Sequence, residues 1–180
     1  MTTSAKVKVA TVWLSGCSGC HMSFLDQDER IIDLAKRIQL VYSPLADVKE
    51  YPENTDLVLI EGAVGNVEQL DLLRKVRDKT KILIALGDCA ITANVTGLRN
   101  TLTNSTEVIL ERAYLETVDV NPQIPNDVPT LTQKAQPLHE LVKVDFFIPG
   151  CPPPADTINY VLTELLSGRT PNMEGQSKYG

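Results

Sequence analysis

The sequence lacks a long apolar run and a cluster of basic side chains, and both absences limit what the protein can do. No stretch approaches the roughly 18 consecutive apolar residues that a membrane-spanning helix needs. The formal net charge is −6, whereas proteins that bind nucleic acid present a concentrated basic surface to the phosphates. The densest basic stretch, Lys75–Lys81, is typical of the solvated end of a helix. We therefore expect neither a transmembrane segment nor nucleic acid as a partner.

Signals for export are also missing. The N-terminal segment Met1–Lys8 is polar and has no apolar stretch followed by a small-residue cleavage site. We therefore expect a cytoplasmic protein. In that reducing compartment, structural disulfides between its cysteines are disfavoured.

The arrangement of apolar residues predicts an α/β fold. Hydrophobic residues make up 43% of the chain, which is enough for a continuous core. Five short apolar runs with strand character are Val7–Leu14, Ile38–Tyr42, Leu57–Ile60, Ile82–Leu86 and Phe146–Ile148. Segments with helical spacing lie between or after them, at Phe24–Ile38, Val67–Val76 and Ile158–Leu166. Fully apolar strands that alternate with helices indicate a parallel sheet covered on both faces, a three-layer αβα arrangement.

One long segment interrupts this alternation before the last strand. We predict a single domain over residues 1–180, with a core of about 6–168, an excursion of about 114–143 and a C-terminal tail at 171–180. The excursion contains four prolines and is too long for an ordinary connection, which suggests a function of its own or a docking role. Within it, Leu131–Val142 has a pattern that predicts a short helix, started or interrupted by Pro137.

All four cysteines of the chain follow predicted strands. Cys17 and Cys20 form a Cys-x-x-Cys pair after the first strand, Cys89 follows the fourth and Cys151 follows the fifth. Open α/β sheets bind their ligands at the carboxyl ends of the strands, so we expect the four thiols to converge on one edge. None is expected in the interior of a strand or a helix. Each thiol has glycine beside it or nearby, which allows close approach to a bulky ligand.

Three kinds of site remain open for these thiols. A structural zinc usually takes two Cys-x-x-Cys pairs on a small scaffold, and only one such pair exists here. A thioredoxin-like redox pair uses Cys17 and Cys20 alone and leaves Cys89 and Cys151 without a role. An iron–sulfur cubane accepts four thiolates from several loops and fits best.

Four motifs in a fixed order extend this interpretation to a family. They are Trp13-Leu-Ser-Gly-Cys-Ser-Gly-Cys20, Glu61-Gly-Ala-Val64, Gly87-Asp-Cys89 and Pro149-Gly-Cys-Pro-Pro153. In these motifs the chain resembles the small subunit of [NiFe] hydrogenases, and among them the short form of the NAD(P)-linked bidirectional hydrogenases. The related 20-kDa subunit of respiratory complex I shares two of the motifs. It has adjacent cysteines at the first site, so the Cys-x-x-Cys spacing favours a hydrogenase.

The resemblance implies a flavodoxin-like, doubly wound sheet and an electron-transfer function. It implies that Cys17, Cys20, Cys89 and Cys151 ligate one [4Fe-4S] cluster next to a Ni–Fe site, which lies in a separate large subunit. Electrons then pass to a diaphorase module that carries iron–sulfur clusters, FMN and NAD(P). The chain alone is expected to be catalytically inert. FMN is not expected on it, because the cluster ligands occupy the place of the phosphate-binding loop.

Two further residues have open interpretations. Glu61 should face the same edge as the cysteines, where it either caps backbone N–H groups or relays protons. The pair His21-Met22 follows Cys20 where many hydrogenase small subunits have Ser-Glu, so a proton route through that glutamate is in doubt. His21 either donates to a cluster sulfide or faces solvent. The alternatives to the hydrogenase assignment are a subunit of a complex-I-like oxidoreductase and a zinc-stabilised docking module without redox function.

Overall fold

The computed structural model describes residues 5–176, so the ends of the segments Met1–Lys8 and 171–180 lie outside the described residues. The strands in this range are β1 (Val7–Trp13), β2 (Ile38–Tyr42), β3 (Thr55–Glu61), β4 (Val64–Asn66), β5 (Thr80–Leu86), β6 (Leu131–Gln136) and β7 (Phe146–Ile148). The α-helices are α1 (Gly19–Leu25), α2 (Arg30–Arg37), α3 (Val67–Asp78), α4 (Asp88–Thr92), α5 (Ser105–Glu111) and α6 (Ala155–Leu166). The five strands predicted from the apolar runs are therefore all present.

The main sheet has the predicted parallel, doubly wound topology. Its strands lie in the order β2-β1-β3-β5-β7, and every neighbouring pair is parallel. Counted along the chain, these five strands have the flavodoxin-like order 2-1-3-4-5. A separate pair, β4 and β6, forms a small antiparallel sheet.

Helices cover both faces of the main sheet. On one face, Val58 and Ile60 of β3 belong to the same core as Leu73 of α3. On the other face, Leu57 and Leu59 pack in a core with Leu34 of α2 and residues Ile158, Val161 and Leu162 of α6. Successive residues of Leu57–Ile60 in β3 point to opposite faces and all four are buried, which explains why this run is apolar without alternation.

The predicted helix Phe24–Ile38 is wrong as a single element. The chain forms α1 and α2 instead, with a break between Leu25 and Arg30. Asp28 within the break has a φ of 51°, a left-handed conformation that an α-helix cannot contain. Ile38 does not end the second helix but begins β2. The apolar spacing was therefore interpreted correctly as helical, while the break was missed.

The predicted helix Leu131–Val142 is also wrong. Leu131–Gln136 is strand β6, which pairs antiparallel with β4, and a short 3-10 turn at Leu138–Glu140 follows. Pro137 separates the two elements. Pairing with a distant strand overrides local pattern here, as it often does for short segments.

The carboxyl ends of four strands lie level with one another. Trp13 at the end of β1 pairs with Glu61, Glu61 pairs with Leu86, and Leu86 pairs with Ile148. The loops that follow β1, β3, β5 and β7 therefore start from neighbouring points on one edge. This register brings the cysteine-containing loops together. Among residues 5–176, no helix combines the length and apolar character required to cross a bilayer.

Candidate metal centre

Three of the four cysteines, Cys17, Cys89 and Cys151, line one cleft at this edge, and Cys20 is close enough for its charge to interact with those of the other three thiols. Cys17 and Cys151 are exposed, Cys89 is half-buried and Cys20 is buried. The cleft has a volume of about 400 Å³ and is lined by Ser15, Gly16, Cys17, Cys89, Val95, Thr96 and Cys151. The expected convergence of the thiol-bearing loops therefore agrees with the fold. Cys20 and Cys89 each lie in the first turn of a helix, α1 and α4, and none of the four cysteines lies in a strand or in a helix interior, as expected.

The thiols influence one another electrostatically. Burial raises the pKa of the Cys20 thiol well above its ordinary value, and the charges of Glu61 and of the three other thiols raise it further. Burial also raises the pKa of Cys89, against hydrogen bonds from the Val95 backbone and the Thr96 side chain that lower it. Four thiolates held this close repel one another unless a cationic group lies between them.

The glycine at position 87 allows the Cys20 side chain to lie close to the backbone between β5 and α4. Gly87, between β5 and α4, has a φ of 81°, which residues with a side chain rarely adopt. A Cβ atom on Gly87 would lie only 2.2 Å from the Cys20 sulfur. The buried thiol therefore occupies the space that any other residue at position 87 would fill. Position 87 requires glycine for both its conformation and its packing.

Backbone hydrogen bonds fix the loops to one another. After β1 and β3, Ser15 and Ala63 exchange two backbone bonds of 2.9 Å each. After β5 and β7, the Asp88 N–H donates to the Gly150 carbonyl at 2.9 Å, and the Gly150 N–H donates to Asp88 Oδ1 at 2.7 Å. Asp88 therefore joins the loops of Cys89 and Cys151 directly.

Glu61 and His21 form a buried pair beside Cys20. Glu61 Oε2 accepts the backbone N–H of His21 at 2.9 Å and lies 2.6 Å from His21 Nδ1. The capping role expected for Glu61 is thus present, since it holds the first turn of α1 against the end of β3. His21 does not face solvent, because it is buried. Its Nε2 atom has no hydrogen-bond partner among the described residues.

A comparison with known protein families shows which family the chain belongs to. The family described as NADH ubiquinone oxidoreductase, 20 Kd subunit, matches residues 17–165. The matched range contains all four cysteines and continues into α6. The chain belongs to this family.

Relatives of this family member are hydrogenase subunits. The chain is 41% identical over 170 residues to NAD-reducing hydrogenase HoxS subunit delta of Cupriavidus necator, and the match covers 91% of this chain and 80% of the relative. It is 40% identical over 172 residues to a subunit of the F420-non-reducing hydrogenase vhu of Methanococcus voltae, with 93% of this chain covered. This second match covers only 59% of the length of that relative.

A solved structure agrees with the sequence relatives. A chain of the NAD+-reducing [NiFe]-hydrogenase in the H2-reduced state superposes with a TM-score of 0.93 at 39% identity. The match covers 98% of this chain and 100% of the other. Within the 20-kDa family, the chain therefore groups with the hydrogenase small subunits.

The residues of this hydrogenase-type subunit fit an iron–sulfur cluster. Three thiols line one cleft and the fourth, Cys20, interacts with them electrostatically; iron bound between the four would relieve their mutual repulsion as thiolates. Within residues 5–176, no three His, Cys, Asp or Glu side chains are grouped so as to hold a single metal ion. In a cubane each thiolate binds a different iron atom, so its ligands lie further apart than the ligands of one ion.

Proposed function

We propose that the chain is the electron-transfer subunit of an NAD(P)-linked [NiFe] hydrogenase. In this proposal, Cys17, Cys20, Cys89 and Cys151 ligate one [4Fe-4S] cluster. The observation that carries it is the convergence of the four cysteines at the level carboxyl ends of the sheet, where three of them line one cleft and Cys20 interacts electrostatically with all three. The relationship to a subunit of an NAD-reducing hydrogenase supports the same assignment.

The cluster supplies the capacity to take up and release one electron, and the residues of the chain hold it in place. Cys20 anchors it from the buried side, against Gly87 and from within the first turn of α1. Cys17 and Cys151 hold it from the open side, where both are exposed. The buried Glu61 keeps α1, and therefore Cys20, in register with β3. The proton-relay role of Glu61 stays a prediction.

Electrons are relayed, in our proposal, from a Ni–Fe site in a large subunit to a diaphorase module with iron–sulfur clusters, FMN and NAD(P). The large subunit is expected to cover the open side of the cleft, because exposed cluster ligands need protection from water. The 3-10 helix Asn94–Thr101 borders the cleft through Val95 and Thr96, and it also carries Leu98, which is 69% exposed. Large exposed apolar side chains beside a functional site are typical of a protein interface.

A matched pair of variants tests this docking surface. Leu98→Glu should reduce the amount of large subunit that co-purifies with the chain, because the charge would be buried in the interface without a partner. Leu45→Glu is the control, since Leu45 is equally exposed, at 70%, but follows the edge strand β2. Equal recovery of the large subunit with both variants would show that it docks elsewhere.

Metal and sulfide analysis tests the cluster itself. The anaerobically purified complex, after separation of this subunit, should contain four iron and four acid-labile sulfide per chain. Stoichiometric zinc without sulfide would contradict the cluster and favour the zinc-stabilised docking module.

The family match also supports a second candidate, a subunit of a complex-I-like oxidoreductase. The Cys-x-x-Cys spacing at Cys17 and Cys20 favours the hydrogenase. Isolation of the native complex through a tag on this chain separates the two candidates. Nickel in the co-purified large subunit supports the hydrogenase, whereas a nickel-free partner that reduces quinone supports the alternative.

A further inference from the structure

An apolar groove of about 600 Å³ lies beside the excursion and shares no lining residue with the cysteine cleft. One wall is α5 together with the turn of π-helix that continues it, Arg112–Glu116. The other wall is the segment 125–131. Of the ten lining residues only Asn126 and Thr130 are polar, and the rest are apolar or aromatic. Turns of π-helix are rare and are frequent at functional sites, which makes this groove a candidate site of its own.

Both walls of the groove are fixed to the small sheet of β4 and β6. At the start of α5, the Ser105 hydroxyl donates to the Gln133 carbonyl at 2.8 Å. In the other wall, the Thr130 carbonyl accepts the Val67 N–H at 3.0 Å, and Leu131 is the first residue of β6. The groove is therefore preformed, and a partner can bind in it without first ordering the chain.

The apolar surface extends beyond the groove. Within the walls, Tyr114 and Val128 are 40% and 57% exposed. Further large apolar side chains are exposed in α5 and in the chain that joins the two walls, namely Val108, Leu115, Val120 and Ile124. A small-molecule site encloses most of its ligand, whereas an open groove flanked by more apolar surface is typical of a protein interface. The occupant that fits is therefore a polypeptide segment.

The charge of the walls indicates the character of that segment. Residues 105–131 carry five carboxylates and a single basic side chain, Arg112. All five carboxylates are exposed, and none forms an ion pair within residues 5–176; they are Glu107, Glu111, Glu116, Asp119 and Asp127. Complementary charge favours Lys and Arg in the partner. An apolar groove with an acidic surround thus fits an amphipathic helix with basic flanks.

The groove also continues the surface that we assign to the large subunit. Helix α5 follows the 3-10 helix Asn94–Thr101, and Arg99 Nη1 donates to Ser105 Oγ at 3.4 Å, which links the two elements. Leu98 and Leu102, which precede α5, are both exposed. One partner can therefore cover the apolar side chains from the cysteine cleft to the groove. Such an extended contact is typical of obligate partners.

We propose that the groove binds a basic amphipathic helix of the large subunit. This inference rests on the proposed function and adds a second contact with that partner, away from the cysteine cleft. The apolar face of the helix packs against residues such as Ile109, Leu110 and Val128. Its Lys and Arg side chains face carboxylates such as Asp127, which lies between two lining residues. The excursion thereby acquires the docking role that its length suggests.

Photo-crosslinking in the intact complex identifies the occupant. Tyr114→p-benzoylphenylalanine places the reactive group in the groove, at a position that is already aromatic and exposed. Leu45→p-benzoylphenylalanine is the control, because Leu45 is exposed on the far side of the sheet order, after β2. We expect the Tyr114 probe to capture a segment of the large subunit that carries Lys or Arg beside apolar residues. The Leu45 probe should not capture that segment.

Two pairs of variants test the shape and the charge of the groove. Ala113→Trp fills it from an exposed position, whereas Ala35→Trp adds the same bulk to an exposed position of α2. Ala113→Trp should lower the recovery of the large subunit with the chain severalfold, and Ala35→Trp should leave it unchanged. Asp127→Asn should lower the salt concentration at which the large subunit dissociates, because it removes an attractive charge. Asp33→Asn, on α2, is its control and should have no such effect.

A Tyr114 crosslink to a diaphorase subunit, to a second copy of this chain, to an acidic segment or to no protein would overturn the proposal. Equal recovery of the large subunit with Ala113→Trp and Ala35→Trp would overturn it as well. If Ala113→Trp does not fold, the crosslink decides. In each case nickel and the EPR signal of the cluster in the wild-type complex leave the proposed function standing. A wild-type complex without a nickel-containing large subunit would instead contradict the proposed function and this inference together.

Discussion

The two ends of the main sheet are stabilised in different ways. At the amino end, charged side chains pair across the starts of the strands, as in Lys81–Asp56 and Arg77–Asp145, each at 2.7 Å. At the carboxyl end, the loops are joined by backbone bonds such as those between Ser15 and Ala63. The carboxyl end is also the one that carries the four cysteines. Exposed and half-buried ion pairs thus join the strand starts at the amino end, whereas the carboxyl end is joined by backbone bonds and by the buried Glu61–His21 pair.

This difference indicates that stability and function can be changed separately. A substitution at the carboxyl end should act first on the cluster, because the cysteines and Gly87 define the space around it. A substitution at the amino end should act on the free energy of unfolding and leave the cluster intact.

The largest effect is expected for the cysteines themselves. Cys20→Ser should lose the cluster, because Cys20 is the buried anchor and a serine hydroxyl binds iron poorly. Cys151→Ser should lose or convert the cluster, with one iron left exposed at the open side. Cys17→Ser and Cys89→Ser should behave in the same way. Iron and sulfide content and the EPR signal of the reduced protein measure these effects.

A cysteine variant with full iron content and an unchanged signal would show that its residue is structural. The assignment of four equivalent ligands would then be wrong. The same result would show that one cysteine at the carboxyl end stabilises the fold and does not bind the cluster. The functional assignment of that end would then be incomplete.

The next largest effect is expected for Gly87. Gly87→Ala places a Cβ atom 2.2 Å from the Cys20 sulfur and imposes a φ of 81° on a residue with a side chain. The thiol must then move, so cluster occupancy should fall severalfold. Gly168→Ala is the matched control, since its φ is 72° and the added carbon has no neighbour within 4 Å. It should keep all its iron and lose only about 1 kcal/mol of stability from backbone strain. Equal iron content in both variants would contradict the packing argument.

The smallest effect is expected at the amino end. Burial acts to raise the pKa of Asp145, but hydrogen bonds from the Leu83 N–H and the Arg77 side chain hold that pKa below its ordinary value. A carboxyl group with a lowered pKa stabilises the fold above its unfolded pKa, and this contribution is lost as the pH falls through the folded value. Asp145→Asn should therefore cost about 1–2 kcal/mol at pH 7 and progressively less below about pH 4.

Urea unfolding of the metal-free chain, at pH 7 and at a pH below about 4, measures the difference in free energy of unfolding between Asp145→Asn and wild type. Asp156→Asn provides the control, because the Asp156 side chain is 86% exposed in its ion pair with Arg30. It should change stability by less than about 0.5 kcal/mol. A gap between Asp145→Asn and wild type that is the same at both pH values would rule out the ionised carboxylate as its cause. Loss of iron in Asp145→Asn would show that a substitution at the amino end also affects the cluster. That result would contradict the separation of stability and function between the two ends.

The parts of the fold that depend on local pattern could be predicted from the sequence. The five apolar runs identified the main strands, because a strand buried on both faces has no polar residues to obscure it. The break at Asp28 could not be predicted, since the surrounding residues keep helical spacing on both sides of it. Strand β6 could not be predicted either, because it exists only through its pairing with β4, far away in the sequence.

The residues of the candidate site also divide into those that could be predicted from the sequence and those that only the fold brings together. The cysteines were found because their positions after strands place them on one edge. The contact of Glu61 with His21 was missed, although both residues had been singled out, because side-chain direction depends on how α1 packs against β3. Thr96 was missed entirely, since its place in the cleft results from the turn at Ala93 and Asn94.

The most direct test of the account is whether the cluster of this chain carries the electrons of the hydrogenase reaction. The intact complex is mixed with H2 and frozen at successive times, and the EPR signal of the reduced cluster is recorded. We predict that the signal forms at least as fast as the complex turns over, and that it disappears when NAD(P)+ is added. A complex that turns over while this signal stays unchanged would contradict the electron-relay function.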